Sequence, residues 1–438
     1  MAGHGQPNLN PVSATPIPAS ATWIPSPMTK TSDSFNIPLS GGRTMPIEGF
    51  DTSLHLQHAA DQAKKRGFDR FPIIDVDSHH YETESFSEII EFLDDPVLQQ
   101  LAKTANASRH GAFGMLPGNI GYQDMGGRVA RYPLRQIEKT GPEAHRDITL
   151  TKRWMDALSV DIAILFPTPM LNLGLHPQIE IEVALSRAYN RWLTEKILPA
   201  DPRLRTMLYL PFNDPEATFE MAKEFAGKPG VLGFMVTATR NRAVHNDAYM
   251  KTYAFLEEAG LPLGFHASYN WNDQSMAMMN KFISVHALGF AISNMVHLTN
   301  WVMNALPVRF PKLKVVWIES GLAWVPFLMQ RLDHEYYMRR SEVPSLSRPP
   351  SDYMREMFYT SQPMERPKDI RELEQTFRMI NAPTQLMYSS DYPHWDFDVP
   401  SVIYDLPFLS EEDKQAILGG NAARIFNINI KEKLAKAI

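Results

Sequence analysis

The chain has 438 residues, of which 44% are hydrophobic and 21% are charged, proportions typical of a folded globular protein and unlike those of disordered chains. The 43 Lys and Arg against 49 Asp and Glu leave a net charge of −6, and no basic run favours nucleic acid as a partner. Cys is absent, so any metal must be held by His and carboxylates. Because the sequence has neither a secretory signal pattern nor a membrane-spanning stretch, we expect a cytoplasmic protein without membrane contact.

Residues 1–70 read as an N-terminal arm followed by a lead-in helix. The first 50 or so are rich in Pro, Ser and Thr and show little periodicity, which is typical of an extended arm. Trp23, Ile24 and Phe35 are apolar anchors for contact with another chain, so we predict a homo- or hetero-oligomer that forms through this arm. Residues 51–70 have helical spacing that stops at Gly67.

Eight short apolar runs follow, at 72–77, 161–167, 204–212, 231–236, 261–266, 313–319, 357–361 and 384–391. Amphipathic helical stretches lie between them, at 179–198, 215–227, 246–260, 322–340 and 370–380. Runs without polar alternation, separated by helices, are typical of parallel strands buried on both faces. We therefore predict an α/β fold, a (β/α)8 TIM-type barrel over residues 71–430, with 83–150 inserted after strand 1 as a lid and 431–438 as a C-terminal tail.

In such a barrel the functional site lies at the carboxyl ends of the strands. Several predicted strands end in His and carboxylate side chains. Asp77 and His79 on strand 1 are two residues apart, so their side chains point to the same side. With His266 after strand 5 and Asp391 after strand 8, they form a set that we interpret as a metal site.

Three stretches also resemble a known family: IIDVDSHHYE (73–82), FPKLKVVWIESGLAWVPFLMQRLD (310–333) and MYSSDYPHWD (387–396). Their order and spacing are similar to those of the amidohydrolase-related group that contains aminocarboxymuconate semialdehyde decarboxylase and the resorcylate-type decarboxylases. The resemblance spans about residues 72–430. It implies a metal-dependent (β/α)8 barrel, dimers or larger assemblies, and a ligand set that falls on Asp77, His79, His266 and Asp391.

Two positions depart from the family pattern. Asp77 stands where the strand 1 motif often has its first His, and Glu319 stands where strand 6 commonly ends in a His that serves as an acid or base. We predict that Glu319 is a metal ligand or, like Asp391, a catalytic acid or base. A second ion would need Glu319 as a bridge. The further candidates for binding that ion, or for supporting the ligands, are His80, Glu82, His297 and His394.

The donor types also bear on the metal and on the substrate. Two imidazoles with several carboxylates and no sulfur suit Zn, Mn or Fe, and an oxygen-rich set favours Mn or Fe. We expect one ion per chain, with two as the alternative. Arg240 and Arg242 follow strand 4, where they could clamp a substrate carboxylate, and Trp324 could stack on a substrate.

These features predict a metal-dependent enzyme, either a lyase (a non-oxidative decarboxylase) or a hydrolase, that acts on a small carboxylated or carbonyl compound. Asp391 or Glu319 would transfer the proton. Since no G-x-G-x-x-G loop follows a strand, a nicotinamide or flavin cofactor is not expected. Two alternatives stay open: a dinuclear Fe or Mn oxygenase (monooxygenase or hydroxylase) component on the same barrel, and a degenerate barrel that serves as a structural subunit.

Overall fold

The structure is a computed structural model that describes residues 36–38, 44–46, 52–82, 85–107, 145–240, 242–268, 270, 273–394 and 396–430. The predicted arm anchors Trp23, Ile24 and Phe35 lie outside the described residues. So do most of the predicted lid and the tail at 431–438.

Eight parallel strands form one sheet, in which each strand pairs with the next along the chain. They follow a short antiparallel pair, β1 (Asn36–Pro38) and β2 (Thr44–Pro46). The eight are β3 (Ile74–His79), β4 (Ile162–Phe166), β5 (Leu204–Tyr209), β6 (Val231–Thr237), β7 (Leu263–His266), β8 (Val315–Ile318), β9 (Phe358–Thr360) and β10 (Leu386–Met387). Each overlaps one predicted apolar run, so the predicted barrel is confirmed.

The barrel is nearly closed where β10 meets β3. The two strands share no regular ladder, and an isolated parallel bridge joins Ser78 to Tyr392 just beyond β10. The backbone N–H of Asp391 donates to the carbonyl of Asp77 at 2.7 Å, and the N–H of His79 donates to the carbonyl of Tyr392 at 2.7 Å. This seam therefore brings the two ends of the predicted ligand set side by side.

Helices cover the outside of the barrel. Their buried residues recur at helical spacing, so each helix has one apolar face that packs against the core. The helix after β4, for example, buries Ile181, Leu185, Ala188 and Trp192. The helix bounds are α1 (Thr52–Arg66), α2 (Phe86–Ile89), α3 (Pro96–Ala107), α4 (Arg146–Leu158), α5 (Ile179–Trp192), α6 (Pro215–Phe225), α7 (Met250–Ala259), α8 (Gln274–Ala277), α9 (Phe282–Met303), α10 (Leu306–Arg309), α11 (Trp324–Arg339), α12 (Pro350–Met354), α13 (Ile370–Met379), α14 (Ala382–Gln385), α15 (Ser401–Tyr404), α16 (Glu411–Gln415) and α17 (Asn421–Ile425). Among these helices none has the length and hydropathy needed to cross a membrane.

Candidate metal centre

The centre lies at the carboxyl ends of the barrel strands, where the predicted ligands meet. Asp77 and His79 come from β3, and His266 ends β7. Glu319 directly follows β8, and Asp391 lies in the segment after β10. All five side chains are buried. Two overlapping groups have ligand atoms within 4.8 Å of one another: Asp77, His79, His266 and Glu319 in one, and His79, Asp391 and His394 in the other.

Backbone carbonyls orient both strand-end imidazoles. The Nδ1 of His79 lies 2.8 Å from the carbonyl of Pro167, and the Nδ1 of His266 lies 2.8 Å from the carbonyl of Ala267. A carbonyl only accepts, so each Nδ1 carries a proton and each ring turns its Nε2 towards the interior of the centre. Burial, together with nearby His394, lowers the pKa of His79 to about 3, which keeps this ring neutral.

The Nε2 atoms of both rings converge on a carboxylate. The Oδ1 of Asp77 lies 3.0 Å from the Nε2 of His79 and 3.2 Å from the Nε2 of His266. Burial raises the pKa of Asp77, but the adjacent His266 and His79 lower it below its ordinary value. The Oδ2 of Asp77 and the Nε2 of His79 are buried without a hydrogen-bond partner. The donor set therefore fits a divalent ion.

Glu319 and Asp391 both have left-handed backbones, with φ of 55° and 59°. Non-glycine residues adopt this conformation at a cost that is typical of functional sites. The Oε2 of Glu319 lies 3.4 Å from the Nδ1 of His266, and the Oδ1 of Asp391 lies 3.4 Å from the Nε2 of His79. The Oε2 of Glu319 and the Oδ2 of Asp391 are buried without a hydrogen-bond partner, as expected of atoms directed towards an ion.

The centre is strongly acidic. Within the described part of the chain, every ion pair of Asp77, Glu319 and Asp391 is with a histidine. Burial and the nearby carboxylates of Asp77 and Asp396 raise the pKa of Glu319 well above its ordinary value. Burial and Glu319 raise the pKa of Asp391 in the same direction. A bound dication would offset this accumulated negative charge.

His394 forms a short hydrogen bond with Asp391. Its Nδ1 lies 2.6 Å from the Oδ1 of Asp391, and its Nε2 lies 3.1 Å from the Oγ1 of Thr168. The Thr168 hydroxyl donates its own proton to the carbonyl of His80 at 2.8 Å, so Thr168 accepts from the Nε2–H of His394. A bond of 2.6 Å between Nδ1 and a carboxylate oxygen then requires a second proton, which Asp391 and His394 share.

Three of the other predicted residues are not brought to the centre. Both carboxylate oxygens of Glu82 accept backbone N–H groups, from Thr168 at 2.8 Å and from Met170 at 2.5 Å. The Nε2 of His80 lies 2.8 Å from the hydroxyl of Tyr189, on the outer side of β3. The Nε2 of His297, on α9, lies 2.6 Å from a carbonyl, that of Ala238. These bonds direct Glu82, His80 and His297 to partners other than the five residues of the centre.

The predicted substrate-binding residues are Arg240, Arg242 and Trp324, and each has a distinct environment. Arg240 packs its guanidinium over the rings of Phe212 and Phe265, at 4.5 and 5.3 Å from the ring centroids. Burial lowers the pKa of Arg240 to about 10, a value that still leaves it charged. Arg242 is exposed. Trp324 is buried, and its indole N–H donates to the carbonyl of Gly321 at 3.0 Å, so this ring packs inside the protein.

Thr168 and Asp75 support the centre, and neither is among the residues predicted from the sequence. Thr168 lies in the loop after β4, and nothing in its local sequence connects it with His394. Asp75 had a signal, because a carboxylate inside an otherwise apolar strand, two residues before Asp77, needs a buried polar partner.

Comparisons with known proteins match most of the barrel. A family model described as amidohydrolase matches residues 152–428. The gamma-resorcylate decarboxylase of Rhodococcus jostii (strain RHA1) is 23% identical over 274 residues, which cover 58% of this chain and 79% of the relative.

Solved structures share the fold. The 5-carboxyvanillate decarboxylase of Sphingomonas paucimobilis superposes with a TM-score of 0.58 at 20% identity, covering 82% of this chain and 100% of that one. The dihydroxybenzoic acid decarboxylase of Polaromonas sp. JS666, with bound manganese and the inhibitor 2-nitroresorcinol, superposes with a TM-score of 0.58 at 17% identity, covering 83% and 99%. Since the family match extends over more than half of the sequence and the barrel is shared with these structures, the chain belongs to the amidohydrolase family.

Proposed function

We propose that the protein is a metal-dependent, non-oxidative decarboxylase of a small hydroxylated aromatic carboxylate. The observation that carries the proposal is the convergence of the Nε2 atoms of His79 and His266 on the carboxylate of Asp77. The relatives support the reaction class, because their names describe decarboxylases of resorcylate and carboxyvanillate. The manganese in one solved structure supports Mn²⁺ as the ion.

We infer one ion per chain, held by Asp77, His79, His266 and Asp391, with Glu319 beside it. The two overlapping ligand groups share His79. Since the Nδ1 of His79 is hydrogen-bonded to the carbonyl of Pro167, only its Nε2 can coordinate a metal ion. A single nitrogen coordinates one ion, so the two groups cannot both bind an ion through His79. The other residues considered for a second ion are bonded elsewhere, which disfavours the dinuclear oxygenase.

When bound, the ion would supply positive charge that holds the substrate carboxylate and a neighbouring oxygen and stabilises the negative charge left as CO2 departs. The protein's own contribution is the proton. The bond between the ring carbon and the carboxyl carbon breaks, its electron pair stays on the ring, and the proton shared by the Oδ1 of Asp391 and the Nδ1 of His394 moves to that ring carbon. Solvent then restores the proton, so the reaction balances without an oxidant.

Glu319 allows an anionic substrate to enter an acidic site. Burial and the nearby carboxylates raise its pKa well above the ordinary value, which favours the protonated form. A neutral Glu319 would donate a hydrogen bond to a substrate oxygen instead of repelling it.

The direct experiment is metal analysis of the purified protein followed by assays with hydroxybenzoates. We expect about one divalent ion per chain, CO2 release that a chelator abolishes and Mn²⁺ restores, and deuterium on the ring carbon when the reaction runs in D2O. Asp391→Asn should lose this activity. Asp333→Asn is the matched control, since Asp333 accepts hydrogen bonds from Ser351 on the outer helices.

Other outcomes of the same experiment identify the alternatives. Turnover of esters, lactones or amides without CO2 release would favour the hydrolase. Two redox-active ions with oxygen consumption would favour the oxygenase, and a protein that binds no metal would favour the structural subunit. Each of these results contradicts the decarboxylase.

We also propose that residues 1–50 bind a second chain and that the protein works in the cytoplasm. The apolar side chains of Trp23, Ile24 and Phe35 support the first point. Removing residues 1–50 should lower the mass of the assembly in solution. An unchanged mass, or a monomer in both forms, would contradict a role for the arm.

A further inference from the structure

The seam between β3 and β10 decides how far apart Asp77 and Asp391 lie, yet little regular structure joins the two strands. β10 has two residues, and the segment from Tyr388 to Tyr392 is joined to β3 by one isolated bridge and by three backbone hydrogen bonds, including that from the N–H of Asp391 to the carbonyl of Asp77. Asp391 also has the left-handed backbone, with φ of 59°, a conformation that its neighbours must hold in place. An additional contact across the seam would therefore control the geometry of the centre.

Asp75 makes that contact. Its side chain is buried, and it lies on β3 two residues before Asp77. Its Oδ1 accepts the backbone N–H of Ser390 at 2.8 Å and the backbone N–H of Asp77 at 3.2 Å. Its Oδ2 accepts the Ser390 hydroxyl at 2.5 Å. One carboxylate thus binds the residue before Asp391 and the amide of Asp77 itself.

Ser390 extends this contact past Asp391. Its hydroxyl oxygen accepts the backbone N–H of Tyr392 at 2.9 Å while its proton goes to Asp75. The residues on both sides of Asp391 are therefore tied, directly or through one hydroxyl, to the same carboxylate. All of these groups are buried, so water does not replace the bonds when they are lost.

We infer that Asp75 is a positioning residue that sets the spacing of the Asp77 and Asp391 carboxylates for metal binding. It does not itself contribute a ligand, because both of its oxygens accept hydrogen bonds from Ser390. The inference rests on the proposed metal function. It predicts that loss of Asp75 changes metal affinity even in a protein that remains folded.

The test is calorimetric titration of the full-length, metal-stripped chain with Mn²⁺, alongside thermal melting of the same samples. We expect Asp75→Ala to weaken Mn²⁺ binding by about 10–100-fold, the usual effect of removing a group that orients metal ligands. Asp75→Asn keeps one acceptor for the backbone amides, so its affinity should lie between those of Asp75→Ala and the wild type. A changed electron paramagnetic resonance spectrum of bound Mn²⁺ would report the altered ligand geometry.

The matched control is Asp161→Asn. Asp161 also binds a backbone amide with its carboxylate, that of Ile73 at 2.8 Å, but at the opposite end of β3. This variant should melt at a lower temperature and bind Mn²⁺ like the wild type. Ser390→Ala keeps the Asp75 carboxylate and removes the connection to Tyr392, so it should weaken binding in the same direction as Asp75→Ala.

The outcomes separate the two proposals. A wild-type chain that does not bind Mn²⁺ contradicts the proposed function. A wild-type chain that binds, with a folded Asp75→Ala variant of equal affinity, overturns only the role of Asp75. If Asp75→Ala does not fold, Ser390→Ala decides, and unchanged affinity in that variant overturns the inference.

Discussion

The Nδ1 of His394 lies 2.6 Å from the Oδ1 of Asp391, and its other nitrogen donates to Thr168. The carboxylate that faces the predicted ion is therefore also half of a proton-sharing pair. Burial alone would lower the pKa of His394, but Asp391 raises it above its ordinary value. The pair combines a ligand and a proton donor at one position of the barrel mouth.

We predict that His394→Gln keeps its metal and loses roughly 10²–10⁴-fold in decarboxylation rate, the usual contribution of positioned proton transfer. Gln retains a polar side chain but cannot hold the shared proton. Metal content by elemental analysis and kcat by CO2 release measure the two effects. His334→Gln, an exposed position on α11, is the control. Loss of metal from His394→Gln would identify His394 as a ligand instead.

Glu319→Gln removes a charge while it keeps the shape of the side chain. If Glu319 is a ligand, this variant should bind metal more weakly and lose activity. If it is only an acid or base, metal content should be unchanged and the rate should fall by roughly 10²–10⁴-fold. Glu335→Gln, which breaks an exposed pair with Arg331, controls for loss of a carboxylate. Full metal content with a nearly full rate would refute both roles.

Substitutions of the neighbours His79 and His80 should affect different properties, because their side chains face opposite sides of the barrel wall. His79→Ala should lose metal binding. His80→Ala should keep the metal and lose about 1–3 kcal/mol of unfolding free energy, since it leaves the Tyr189 hydroxyl without its partner and opens space beside Trp192. Chemical denaturation and metal titration of both variants test the prediction. Metal loss in His80→Ala with normal stability would contradict it.

Glu182 should make stability depend on pH. It is fully buried, its Oε1 accepts the Tyr209 hydroxyl at 3.0 Å, and burial raises its pKa to about 7. The unfolded carboxyl ionises at a lower pH than the folded one, so the wild type loses stability as pH rises towards about 7. The loss from this group should reach about 3 kcal/mol and then level off.

Glu182→Gln cannot ionise, so its stability relative to the wild type should increase across the same interval. Urea unfolding of the metal-stripped proteins between about pH 5 and 8 gives both profiles. Asp161→Asn, at the other end of the barrel, should follow the wild-type profile. Parallel curves for Glu182→Gln and the wild type would show that this carboxyl titrates alike in the folded and unfolded chains.

The sequence by itself determined the barrel and the strand-end side chains that meet at its mouth. Eight apolar runs without polar alternation require a sheet covered on both faces, and parallel strands carry their last residues to one mouth. Asp77, His79, His266 and Asp391 could therefore be assigned to one place before any coordinate was available. The position of Glu319 after β8 followed from the same rule.

Only the tertiary structure decided what the neighbouring polar residues do. His80 and Glu82 adjoin the ligands in sequence, but strand alternation and the turn after β4 direct them to Tyr189 and to backbone amides. The shared proton of His394 depends on Thr168, more than 200 residues away along the chain. Such contacts join side chains from separate loops, and local periodicity carries no information about them because it is determined by residues within a few positions of one another.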